Sequence, residues 1–123
     1  MTQTKTIRGD WIGEKEISKN TEVVILCHKS STRNVIAFDV LVRKSIKKRK
    51  PRLYKWLKEN EYKVNCDVAK LFLRKHKGFE YVFSQDFAHT LYFNVGVLNT
   101  LLQIARKFRT TLVLFEEVDE DEV

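Results

Sequence analysis

Proline and glycine are scarce in this chain, with one and four copies among 123 residues, so no flexible linker divides it. Cysteine is almost as rare. Cys27 and Cys66 have no CxxC spacing, which excludes a disulfide framework or a zinc ribbon and predicts two reduced thiols. No apolar run approaches the ~18 residues of a membrane span. The opening MTQTKTIRGD also lacks the apolar core of a signal peptide. Together these absences predict one soluble domain in a reducing, cytoplasmic setting, with no membrane partner.

The ingredients of common enzymes are missing as well. There is no glycine-rich phosphate loop, no nucleophile elbow and no HExxH, and His28, His76 and His89 lie far apart. Asp39, Glu80 and Asp86 do not fall at a metal-nuclease spacing. Asp39 followed by Arg43 on one strand is the nearest approach to such a site, which needs a lysine and a second acid close by. A non-enzymatic protein with no cofactor and no structural metal is expected.

What is abundant is positive charge, and it is concentrated. Residues 43–77 hold fourteen of the 23 Lys and Arg residues but three of the 16 acids. A segment this cationic repels itself and is tolerated when a partner supplies opposite charge. Nucleic acid is the expected polyanion. Arg43, Lys44, Lys47, Lys48, Arg49, Lys50, Arg52, Lys55, Lys58 and Lys63 would neutralise phosphates, with Lys70, Arg74 and Lys77 extending the track. Tyr54, Trp56 and Tyr62 are interleaved with these cations, the combination used to stack bases beside a positive groove, so single strands are favoured over duplex. Trp56 also falls on one helical face with Leu53 and Leu57, a core position, which makes Tyr54 the better stacking candidate.

Hydrophobic patterning supplies the frame. Residues 1–10 have no apolar pattern and read as a flexible arm. Residues 22–28 are β-branched and of strand length. After a polar loop, residues 35–42 read as a second strand in a hairpin, with a helix capped by Asn34 as the competing period. Pro51 suits a helix's first turn, giving a helix over 51–60 with Leu53, Trp56 and Leu57 inward. A second helix starts at Asn65 or Cys66 and stops at Gly78, with Val68, Leu71, Phe72 and the Lys75 stem inward and Asp67, Lys70, Arg74 and Lys77 outward. Residues 79–83 are a third strand and 84–89 a loop. From about residue 94 a helix carries Val97, Leu98, Leu101, Leu102, Ala105 and Phe108 on a wide apolar stripe, and residues 110–118 close the fold as a fourth strand.

The expected order β-β-α-α-β-α-β describes one α+β domain over residues 11–118, with a mostly antiparallel sheet of about four strands and helices on one face. Residues 119–123 form an acidic tail. Six acids between Glu116 and Glu122 would fold back on the basic segment and compete with nucleic acid, recruit a basic partner, or aid solubility. Low-specificity nucleic-acid binding is therefore the leading expectation. Two others remain open: a helix-turn-helix duplex-DNA binder using residues 51–60 and 66–77, and an interaction effector of viral or mobile-element type docking its basic face on an acidic protein. A homodimer through the leucine-rich helix at 97–108 is a further arrangement the stripe allows.

Overall fold

A computed structural model describes residues 5–9, 17–30, 35–59, 67–88 and 95–119, and the side chains of 17–27, 37–59, 69–84 and 99–114. In chain order the elements are β1 (Lys5–Gly9), β2 (Val23–Ser30), β3 (Val35–Arg43), α1 (Ile46–Arg49), α2 (Pro51–Lys58), α3 (Asp67–Lys75), β4 (Phe79–Ala88), α4 (Val95–Lys107) and β5 (Thr110–Asp119). The fold is α+β, as its patterning predicts. The sheet has five strands in the order β1-β5-β2-β3-β4, antiparallel at every pair except β2–β5.

The central strands explain how the helices are distributed. Val23, Val24, Ile25 and Leu26 form an unbroken apolar run on β2, and all four are buried. Neighbouring strand residues point to opposite faces, so such a run needs cover on both sides. One face takes Val23, Ile25, Val40 and Val42 and is covered by Ile46 of α1, Leu57 of α2, and Leu101 and Ile104 of α4, with Phe108 just beyond. The other takes Val24, Leu26, Leu41 and Val113 and is covered by Phe72 and Leu73 of α3. The expectation that all helices share one face is thus corrected. The same geometry removes the helix-turn-helix, because α2 and α3 lie on opposite sides of the sheet.

Other boundaries shift for local reasons. The stretch expected as a flexible arm contains β1, which pairs with β5 and sets Arg8 opposite Glu116 and Lys5 opposite Asp119. β4 continues through the expected loop to Ala88, matching the full length of β3. It absorbs one extra residue, Val82, at a bulge between the partners of Val40 and Leu41. Among the described side chains of α3, Ala69 and Phe72 are buried, Leu71 is half-buried and Lys75 is exposed, while that of Val68 lies outside them. On α4 Leu101 and Ile104 are buried, with Phe108 following, whereas Leu102 and Ala105 of the expected stripe are exposed and the side chains of Val97 and Leu98 lie outside those described. Among the described residues no helix is long and apolar enough to cross a membrane.

Candidate nucleic-acid interface

Strand direction gathers the cations. β3 ends at Arg43, opposite the first residue of β4, Phe79, while Val42 faces Val23 and Val23 lies beside Thr110. One end of the sheet is therefore made by the finish of β3 and the starts of β2, β4 and β5. Through their short connections, α3 and α4 also finish there and α1 begins there. The last turns of α3 and α4 carry Arg74 and Lys75, and Arg106 and Lys107, as expected where a helix C-terminus holds partial negative charge. Lys19, Lys44, Lys77 and Arg109 stand exposed in the connections at the same end. The Lys44 backbone N–H donates to the Gly78 carbonyl at 2.8 Å, tying the α3 side to the α1 side. No Asp or Glu occurs within α1, α2 or α4.

A single buried carboxylate organises part of this end. Glu22 accepts from the Arg109 backbone N–H at 2.9 Å and from Lys50 Nζ at 3.1 Å. Its Oε2 lies 2.9 Å from Lys50 Nζ and 3.7 Å from Arg49 Nη2. Burial pushes the Glu22 carboxyl up, but the Arg109 amide, Lys50 and Arg49 outweigh it and hold the group below its ordinary range. Glu22 and Val23 also donate their backbone N–H groups to the Arg109 carbonyl, and the Arg43 N–H donates to the Glu22 carbonyl. Three strand ends are thus joined at one residue.

Several of the expected phosphate ligands are engaged by the fold itself. Arg43 donates from Nε to the Thr21 carbonyl at 2.8 Å and from Nη2 to the Ser18 carbonyl at 3.3 Å, and its guanidinium lies 4.4 Å from the Phe79 ring centre. It is a clamp on the chain entering β2. Lys50 belongs to the Glu22 cluster. Lys58 donates to the Tyr81 carbonyl at 3.3 Å and lies 3.5 Å from Glu80. Lys44, Lys47, Lys48, Arg49, Arg52, Lys55, Lys70, Arg74 and Lys77 are exposed. Of these, Arg52 and Lys55 point out along α2, and Lys70 sits on an earlier turn of α3 than Arg74. Lys63 lies outside the described residues.

Trp56 takes the core-facing position that its spacing with Leu53 and Leu57 predicts, whereas Tyr54 is less open than a stacking residue would be. Tyr54 and Trp56 are both half-buried against the first core cluster. Lys47 and Lys58 lie 6.0 and 5.7 Å from the Tyr54 ring centre, and Lys107 lies 4.7 Å from that of Trp56. A hydrogen bond to Glu80, then burial and the Glu80 charge, push the Tyr54 hydroxyl up to about 12. Rings that already carry cations on their faces do not offer an open stacking platform. Tyr62 lies outside the described residues.

Asp39 is fully buried on β3, where Ser84 Oγ donates to it and the Tyr81 hydroxyl bonds Ser84 in turn. It is part of an internal polar network. Among the described residues no three His, Cys, Asp or Glu side chains come together as a metal site would require.

Sequence reasoning missed Lys19, Arg106, Lys107 and Arg109 and left Lys75 out of the track. The cations closing α4 were readable as a helix C-terminus, but nothing local in sequence joined them to residues 43–50. The acidic segment also changes meaning. Glu116, Glu117 and Asp119 lie within β5 near its far end, with Glu116 at register positions facing Arg8 and Lys29. Glu120, Asp121 and Glu122 lie outside the described residues. The chain matches no family model, no curated protein and no solved structure with which it was compared.

Proposed function

We propose that the protein binds nucleic acid without catalysis and with low sequence specificity, by setting the cationic end of its sheet against the phosphate backbone. The observation that carries this reading is the convergence of exposed cations from four separate segments on one end, beside helices α1, α2 and α4 that contain no acid. The buried Glu22 offsets charge beneath the surface and leaves the outer cations for a partner. Phosphate contact supports the reading better than base stacking does, since Tyr54 and Trp56 have lysines over their rings. A cytoplasmic setting, in which the Cys27 thiol stays reduced, accords with it.

Fluorescence anisotropy with labelled oligonucleotides over a salt series tests the proposal. Engagement of about six phosphates gives a slope of log affinity against log salt of about −4 to −5. The double charge reversal K47E/K48E flattens that slope by ~1.5–2, because two contacts are lost. A slope near zero for the unaltered protein overturns the reading and favours an acidic protein as the partner.

A further inference from the structure

The cationic end is not one patch but two rows, separated by the thickness of the sheet. Arg74, Lys75 and Lys77 belong to the α3 side, where Phe72 and Leu73 pack on Val24, Leu26 and Leu41. Lys47, Lys48 and Lys107 belong to the opposite side, where Ile46, Leu57 and Ile104 pack on Val23, Ile25, Val40 and Val42. Packed layers of secondary structure lie about 10 Å apart, so two helical layers with a sheet between them stand ~20 Å apart. Lys44 is placed between the rows, through its backbone bond to Gly78.

From this spacing, and resting on the nucleic-acid reading above, we infer that the ligand is duplex DNA, straddled end-on so that each row contacts one of its two backbones. The major groove of B-form DNA is ~12 Å wide between backbones that are themselves several ångströms across, a span that two rows of long, exposed side chains ~20 Å apart match. A single strand presents one backbone and meets one row at a time. The rows are further apart than the ~8 Å screening length at physiological salt, so a phosphate held by one row does little to neutralise the other. A second backbone is what the second row lacks. This reverses the single-strand preference that Tyr54, Trp56 and Tyr62 suggest from sequence.

The test compares a 20-base-pair duplex with one of its strands, using the unaltered protein, K75E/K77E and the milder K75Q/K77Q. Both substituted positions are exposed, and an unchanged thermal melt establishes that the fold is intact. The expected result is that K75Q/K77Q weakens duplex binding by at least about tenfold and reduces its salt slope by ~2, at ~0.9 per lost contact. Single-strand affinity then changes less than about threefold, because the Lys47 row still serves it. K75E/K77E enlarges the duplex effect in the same direction. Should both α3-side variants bind duplex with unaltered affinity and slope while K47E/K48E releases it, one row binds alone and the straddling model is wrong, with nucleic-acid binding itself intact. Equal salt slopes for duplex and single strand in the unaltered protein overturn it equally. Failure of every oligonucleotide to bind removes the broader function instead.

Discussion

The two ends of the sheet differ in the charges they bring together. Where β3 finishes and β2, β4 and β5 begin, the surface shows Lys19, Lys44, Lys77 and Arg109 beside the cationic last turns of α3 and α4. Where β5 finishes, the chain passes through Glu116, Glu117 and Asp119 and goes on to Glu120, Asp121 and Glu122. Cations therefore gather at one end of the strand axis, while the other sets the acids of β5 at register positions facing Lys5, Arg8 and Lys29. The ends also differ in how they are held. At the cationic end a buried carboxylate and an arginine clamp knit three strands together, whereas at the acidic end register alone sets Glu116 opposite Arg8 and Lys29.

The comparison breaks most visibly at Glu22. Glu22→Ala strips the carboxylate from Lys50, Arg49 and the Arg109 amide and should cost about 1–3 kcal/mol in denaturant unfolding, the penalty of leaving buried partners unmet, moderated by the partial exposure of Lys50. Because the folded-state pKa of Glu22 is lowered, its contribution is present above the unfolded carboxyl value and is lost as pH falls through the folded value. Wild-type stability should decline across that acidic window, and the variant should show a shallower decline. If the two acid limbs coincide, Glu22 does not hold this end together.

A smaller effect is expected at Tyr54, which separates a ring that serves the fold from one that serves a ligand. With its hydroxyl raised to about 12, Tyr54 stays neutral when ordinary tyrosines ionise near 10, so its share of stability is present below about pH 10 and fades between there and 12. Tyr54→Phe should delete the last step of the phenolate absorbance titration, cost about 1 kcal/mol, and leave oligonucleotide affinity within about twofold. A large loss of affinity at unchanged stability would mean that the hydroxyl serves the ligand and not the fold.

The smallest change is expected at the acidic end. Replacing Glu120, Asp121 and Glu122 with their amides should alter nucleic-acid affinity by less than about twofold at physiological salt, because a screening length of ~8 Å is short against the ~30 Å of β5. Severalfold tighter binding would mean that the ends communicate, through a second copy of the chain or a different path of the segment.

Much of the frame was legible because it depends on local pattern. The β-branched run of β2, proline at the start of α2 and the cationic finish of α3 each signal their element directly. The buried run Val23 to Leu26 even held the clue that both faces of the sheet are covered, since a strand with one wet face alternates. β1 was not legible: Thr6 and Ile7 form no periodic pattern, and the strand exists because β5 offers it an edge. On α4 a broad apolar stripe left several rotations open, and packing chose Leu101, Ile104 and Phe108 over Leu102 and Ala105.

By itself the sequence determined an α+β domain, most of the strands and helices that build it, and an excess of positive charge over residues 43–77, because composition and periodicity are properties of neighbouring residues. Tertiary structure alone decided which cations are available. It turned Arg43, Lys50 and Lys58 inward to carbonyls and carboxylates, brought Lys107 and Arg109 to the same end as Lys44, and set Lys77 across the sheet from Lys47. The physical reason is that strand direction and the face on which each helix packs are settled by long-range pairing, which no local stretch of the chain encodes.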